Sequence, residues 1–172
     1  MSKFLIWNVG GMHSNAAPLG AVGKRDAVMA EVRNIGADVV CLQEVHCPDS
    51  NTAFQWQGEW GGLAWFTEKS SSRGGAAVLF RPGFIPQNIR VDFDIREDWQ
   101  GDWVRVRYEW KGTEFTVVSV YVPSEMHERK KFLKDEMSKI MEGPNLILGG
   151  DINCVLNAAL DVSSTRQDPS AL

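Results

Sequence analysis

No run of about 18 or more apolar residues occurs in this sequence of 172 residues, so no segment reads as a membrane-spanning helix. No secretory leader is expected either: Met1-Ser2-Lys3 leads straight into an apolar strand with no small-residue cleavage site behind it. The expectation is a soluble, intracellular chain, in the cytoplasm, the nucleus or both. Cysteine is scarce. Cys41, Cys47 and Cys154 are odd in number and lack CxxC spacing, which argues against a disulfide framework and against a structural zinc site. Positive charge is not in excess: 18 Lys and Arg stand against 22 Asp and Glu, for a formal net charge of -4. The whole-chain field therefore does not attract phosphate backbones, and any nucleic-acid role needs a local basic patch or a bound cation. Repeats, low-complexity tracts and linkers are also absent, and 44% hydrophobic residues suffice for one domain with a real core.

What is present alternates strands with a few helices. Lys3 to Val9, KFLIWNV, reads as a buried strand stopped by Gly10-Gly11. From Lys24 to Ile35, Ala27, Val28, Val32 and Ile35 recur at helical spacing with Gly36 as the stop. ADVVCLQEV follows as a second apolar strand, and the strand-helix-strand order predicts a buried parallel pair covered by a helix. In mid-chain, GLAWFTE, GGAAVLFR, NIRVDFDI, DWVRVRYEWKG and TEFTVVSVYVP predict hairpins and meanders. Val104, Val106, Tyr108 and Trp110 alternate with Arg105, Arg107 and Glu109, which predicts one buried and one wet face. A helix is expected over roughly Glu125 to Met141, and GPNLILGG supplies the last clear strand. Beyond it VSSTRQDPSAL reads as a frayed polar tail, so the domain is expected to span 1–161 and the tail 162–172.

Three stretches carry chemistry: WNVGG at Trp7 to Gly11, CLQEVH at Cys41 to His46, and GGDIN at Gly149 to Asn153. Each sets a polar residue at the end of an apolar strand, where side chains project into the crevice that such sheets use for ligands. Asn8, Glu44 and Asp151 converge if their strands are neighbours. Such a set is a hard-oxygen site suited to Mg²⁺ or Mn²⁺, which is typically held by one or two carboxylates plus substrate phosphates. Taken singly, an Asp after a strand is usually a turn or cap residue, and a lone Asn in a turn usually bonds its own backbone.

Taken in order, LIWNVGGM, DVVCLQEVH, VVSVYVPS and LILGGDINCVLNAALD resemble the successive motifs of the endonuclease/exonuclease/phosphatase superfamily. Within it the sequence is most similar to the endonuclease domain of LINE-type (non-LTR) retrotransposons. The resemblance implies a DNase I-like four-layer α/β sandwich, with two mixed or mostly antiparallel sheets face to face and helices outside. It implies a Mg²⁺-dependent enzyme, with Mn²⁺ as an alternative, that cleaves DNA phosphodiesters. Glu44 is then the principal metal ligand with Asn8 beside it near metal or phosphate. Asp151 readies the attacking water, Asn153 holds a phosphate oxygen and Tyr121 reaches the scissile phosphate with its hydroxyl. For Tyr121 the alternative is a core aromatic with its hydroxyl at the rim.

The chain departs from the family pattern in several places. Gly10 stands where a polar residue is common, and Ile152 replaces an aromatic. Ser124 replaces an asparagine; it is a short donor for phosphate or, the preferred reading, the cap of the next helix. The family ends its site with an Asp-His pair, whereas His13, His46 and His127 all precede Asp151 and only Asp161 and Asp168 follow Asn153 as acids. The chain is therefore expected to be C-terminally truncated and impaired or inactive. An unpaired edge or exposed apolar surface is expected too, open to self-association or to the remainder of a polyprotein. Catalytically dead binding, or another phosphoesterase activity of the superfamily, are the alternatives. His46 reads as a rim histidine or a ligand, the Lys69 to Gly75 loop as a DNA-backbone contact or a plain hairpin end, Trp56, Trp60 and Trp65 as base-stacking or core, and Arg129-Lys130-Lys131 as a solvated helix face.

Overall fold

The computed structural model describes residues 2–12, 23–93 and 101–154. The expected tail at 162–172, together with His13, Asp161 and Asp168, lies outside these residues. Strand β1 (Phe4–Asn8) leads to helix α1 (Lys24–Ile35) and strand β2 (Val39–Gln43), and β1 and β2 pair in parallel from Phe4↔Val39 to Asn8↔Gln43. The helix ends where the sequence predicts it. Gly36 takes the left-handed conformation (φ 65°), and its N–H returns to the carbonyls of Val32 and Arg33.

Helix α2 (Ser50–Trp60) was not legible as an element from apolar spacing alone. Its ends carry the signal: the Asp49 carboxylate accepts from the Thr52 N–H at 2.8 Å, and Gly61 closes it at φ 72°. Trp56 and Trp60, one turn apart on this helix, are 1% and 2% exposed, so both are core residues that cannot stack on a base. Strands β3 (Ala64–Phe66) and β4 (Ala76–Phe80) complete a first sheet of order β1-β2-β4-β3. Trp65, on β3, packs edge-on against Phe80.

The second sheet begins as the expected meander, β5 (Gln87–Phe93), β6 (Trp103–Trp110) and β7 (Thr113–Tyr121). It then crosses over through α3 (Met126–Asp135) and α4 (Met137–Ile140) to β8 (Leu146–Asp151), which pairs in parallel with β7. The single helix expected here is broken at Glu136 (φ -113°, ψ -32°). The face of β6 expected to be wet is covered. Arg105 is 9% exposed, with its guanidinium on Asp92 and on the Lys139 carbonyl of α4.

Strand alternation sorts the apolar residues into three layers. Val40, Leu42, Ala77 and Leu79 meet α1 and α2 on one side. Val39, Cys41, Val78 and Phe80 face Val104, Val106, Tyr108 and Val117 between the sheets. Val118, Val120 and Val122 pack under Phe132 and Ile140 of α3 and α4. The architecture is a four-layer α/β sandwich of two mixed sheets. Strand β8 has no further neighbour among the described residues, and on the same face of β1 Phe4 and Ile6 are 37% and 50% exposed, so apolar surface is open at that edge. Among the described residues no helix is long and apolar enough to cross a membrane.

The sheets approach most closely at Gly149. A Cβ there would lie 2.8 Å from Cys41 Cβ and 2.9 Å from Ile6 Cγ1. Replacing Gly149 by Ala should therefore cost about 1–3 kcal/mol by overpacking, read as a lower urea midpoint; an unchanged midpoint would refute the close approach.

Burial also sets an alkaline limit. Cys41 and Cys47 are pushed by burial from an ordinary 9.0 to about 12, and Tyr108 is pushed from 10.0 to about 12 by burial, with the neighbouring Cys41 and Asp38 adding to it. These groups keep their protons longer in the folded chain than in the unfolded one. Their contribution to stability is full below pH 9.0 and is lost as pH rises toward about 12. The urea midpoint should fall steadily over that window, and a flat profile would contradict the assignment.

Candidate active site

The C-terminal ends of β1, β2, β7 and β8 meet at one rim. Beneath it a buried polar link joins the two sheets: Gln43 Nε2 donates to Ser119 Oγ at 3.1 Å, and Ser119 Oγ donates to the Leu42 carbonyl at 2.8 Å. Both side chains are nearly inaccessible and satisfy each other, as buried polar groups must.

Above this link, the Asn8 amide holds the two carboxylates of the site. Its Nδ2 donates to Glu44 Oε1 at 3.1 Å and to Asp151 Oδ2 at 2.7 Å, while its Oδ1 accepts from the Gly10 N–H at 3.0 Å. These partners fix the amide orientation, since the opposite one would set oxygen against carboxylate. Residues 8, 44 and 151 thus come together, as their strand-end positions predict.

The backbone around the carboxylates is held in unusual conformations. Glu44 (φ 53°) and His46 (φ 57°) are both left-handed, on either side of the fully buried Val45. Flanking loops clamp them: Gly11 N–H donates to the Glu44 carbonyl at 2.6 Å, Met12 N–H to the Val45 carbonyl at 3.0 Å, and His46 N–H to the Gly74 carbonyl at 3.1 Å. Strain of this kind persists only where the surroundings over-determine it, and it clusters at functional sites. His46 Nε2 stands 3.3 Å from Glu44 Oε2, so this rim histidine contacts the carboxylate itself. The Lys69 to Gly75 loop serves the fold here, with Lys69 paired to the buried Asp102. Near Gly10, where the chain lacks a polar side chain, Lys24 Nζ donates to the Gly10 carbonyl.

On the other sheet, Asp151 Oδ1 accepts from the Asn153 N–H at 2.9 Å, and Asn153 Nδ2 donates to the Val122 carbonyl at 2.6 Å. Asn153 is also left-handed, at φ 50°. Tyr121 pairs with Asp151 across the β7–β8 ladder. Burial and then the Glu44 charge push its phenol above the ordinary value; hydrogen bonds from Ser124 and Asn153 pull back, and Asp151 pushes further up. It therefore stays a hydroxyl donor at neutral pH. The cap expected of Ser124 is not there: Glu125 takes the N-cap position of α3 without a side-chain bond, because the Ser124 side chain is turned toward Tyr121. Arg129 also departs from the solvated face expected of it; its guanidinium donates to the carbonyls of Ser124 and Asn153. Basic-run composition concealed this, since nothing in the run separates one member from its neighbours.

A cleft of about 550 Å³ opens over Asn8, Gln43, Asp151 and Asn153 and extends to the exposed Ile6. Among the described residues no three His, Cys, Asp or Glu side chains cluster closely enough to cage an ion. The donors present are hard oxygens, with the Glu44 and Asp151 carboxylates sharing one amide. They fit a divalent cation of the Mg²⁺ type, which is content with one or two carboxylates and completes its shell with water and substrate oxygen.

Fold and rim together define a four-layer α/β sandwich with a carboxylate and amide site at its strand ends. Residues 5–163 match the Endonuclease/Exonuclease/phosphatase family, and the chain belongs to it. It is 30% identical over 134 residues to the Transposon TX1 uncharacterized 149 kDa protein of Xenopus laevis, which covers 76% of the chain and 10% of that protein. Among solved structures it is similar to D. rerio TDP2 complexed with single strand DNA product (18% identity, TM-score 0.62, covering 90% of this chain and 61% of that one). It is also similar to an AP endonuclease from Archaeoglobus fulgidus (18% identity, TM-score 0.60, covering 89% and 58%). The chain thus spans less than two thirds of each of these relatives.

Gly11 tests how tightly the Glu44 segment is set. Its φ of 97° disfavours any side chain, and a Cβ would stand 2.5 Å from His46 Nδ1. Gly11→Ala should destabilise the fold by about 1–3 kcal/mol. Adding His46→Ala should recover the part due to the clash but not the part due to φ. A double-mutant cycle in urea with strictly additive effects would sink this account.

Proposed function

We propose that the chain is a Mg²⁺-dependent phosphodiesterase domain that nicks DNA, of the kind carried by retrotransposons. The observation that carries the reading is the Asn8 amide joining Glu44 to Asp151, two carboxylates from different sheets, with Asn8 and Asp151 lining one cleft. Family membership supports hydrolysis of phosphate esters. Similarity to a transposon protein supports the mobile-element context, and the likeness to TDP2 with a DNA product and to an AP endonuclease supports DNA as substrate.

In this reading Glu44 would hold the cation, with Mn²⁺ as an alternative to Mg²⁺, and Asn8 keeps the Glu44 carboxylate beside Asp151. When bound, the cation neutralises phosphate charge and stabilises the leaving oxygen. Asp151 orients a water and takes its proton as the water attacks phosphorus in line. Its Oδ1 is already engaged by the Asn153 N–H, which leaves the carboxylate fixed in direction. Tyr121 and Asn153 donate to the phosphate oxygens, and the raised Tyr121 pKa keeps that donor protonated. Ser124 lies within the same hydrogen-bonded group as a weaker donor.

A second reading is DNA binding without cleavage. It is favoured by the Asp151 carboxylate, both of whose oxygens already accept hydrogen bonds within the chain, Oδ2 from Asn8 Nδ2 and Oδ1 from the Asn153 N–H. Incubation of the purified chain with supercoiled plasmid in Mg²⁺ separates the two. Nicking should appear, vanish with EDTA, and fall by about 100-fold or more in Glu44→Ala and in Asp151→Ala. Plasmid retention without nicking in the unsubstituted chain would favour the binding reading and overturn the first.

A further inference from the structure

We infer that Arg129 is a positioning residue that sets the Asp151–Asn153 turn, acting through backbone carbonyls and not through contact with substrate; this rests on the role proposed above for Asp151 and Asn153. The left-handed φ of 50° at Asn153 is not a conformation this residue adopts by default. Its backbone N–H, its backbone carbonyl and one side-chain amide donor are engaged. The N–H is held by Asp151 Oδ1 at 2.9 Å, the side-chain amide by the Val122 carbonyl at 2.6 Å, and the carbonyl by Arg129 Nη1 at 2.5 Å. The same Nη1 donates to the Ser124 carbonyl at 2.8 Å. One guanidinium nitrogen therefore ties the segment after β8 to the segment after β7.

Arg129 is itself held in place. Phe132, one turn further along α3, is fully buried against Val118, Val120 and Val122, so the helix that carries Arg129 is anchored to the outer face of the second sheet. The guanidinium transmits that anchorage to the rim. Without it the Asn153 carbonyl turns to water, nothing from α3 opposes relaxation of the left-handed turn, and Asp151 loses the N–H that fixes its carboxylate. Lysine cannot reproduce the planar, directed pair of N–H bonds, although it keeps the charge.

The test compares Arg129→Ala, Arg129→Lys and, as a charge control, Lys130→Ala, whose side chain on the same helix is exposed. On supercoiled plasmid with Mg²⁺, Arg129→Ala should lower kcat by about 10- to 100-fold with KM changed by less than about twofold. Arg129→Lys should fall between Arg129→Ala and the unsubstituted chain, Lys130→Ala should match the unsubstituted chain, and added guanidinium at low concentration should restore part of the Arg129→Ala rate. Amide hydrogen exchange reads the clamp without reference to activity: the Asn153 N–H should exchange faster in Arg129→Ala while the Val118 and Val120 N–H groups stay protected. A raised KM with unchanged kcat would mean that Arg129 touches DNA directly and would overturn the inference. Unchanged exchange at Asn153 would overturn it as well, even in a chain that does not nick. Faster exchange in a non-nicking chain would uphold the clamp while the proposed activity fell.

Discussion

Everything at the rim depends on how closely the two sheets approach beneath it. Where β8 crosses β1 and β2, the space between the sheets admits the Cys41 and Ile6 side chains and nothing opposite them, and Gly149 supplies that nothing. A larger residue would lift β8 away from the first sheet. Asp151 lies two residues further along the same strand, so the lift would carry its carboxylate off the Asn8 amide. The buried Gln43–Ser119 pair reinforces the approach with directional bonds where apolar packing alone would leave the strands free to slide.

On that platform the site is assembled from backbone in unfavourable conformations. Glu44, His46 and Asn153 are left-handed without being glycine, and each sits against a hydrogen bond that would be lost on relaxing. The cost is borne by the packing around them, notably the fully buried Val45. The result is a pair of carboxylates whose directions are set before any ligand arrives, which is the condition under which charge stabilisation in a cleft is most effective. The same rim opens along the edge of β8 that has no strand neighbour among the described residues, and Ile6 of β1 lines the cleft beside the polar residues. Polar chemistry and exposed apolar surface are contiguous there.

Much of this was legible in the sequence because it was local. The helix at Lys24–Ile35 follows from apolar spacing and a terminal glycine. The strands follow from short apolar runs between turn residues, and Asn8, Glu44 and Asp151 stand out as polar residues closing such runs. The second helix, Ser50–Trp60, escaped because its apolar face rests on a few aromatic residues in a polar stretch, and its clearest signals were Asp49 and Gly61 at its ends. The face of β6 carrying Arg105 reads as wet by alternation, since alternation cannot tell that α4 will lie over it. Arg129 is indistinguishable from Lys130 by composition, and Ser124 resembles a cap until the position of Tyr121 is known.

The sequence by itself determined the order of elements, the family, and the polar residues delivered to the strand ends. Those properties depend on periodicity and on turn chemistry within a few neighbouring residues. Only the tertiary structure decided which of the polar residues meet. The bond from Asn8 to Asp151 spans 143 positions, and the clamp from Arg129 to Asn153 spans 24. Such contacts are set by the register of two sheets and by the closeness of their packing, which no single stretch of chain encodes.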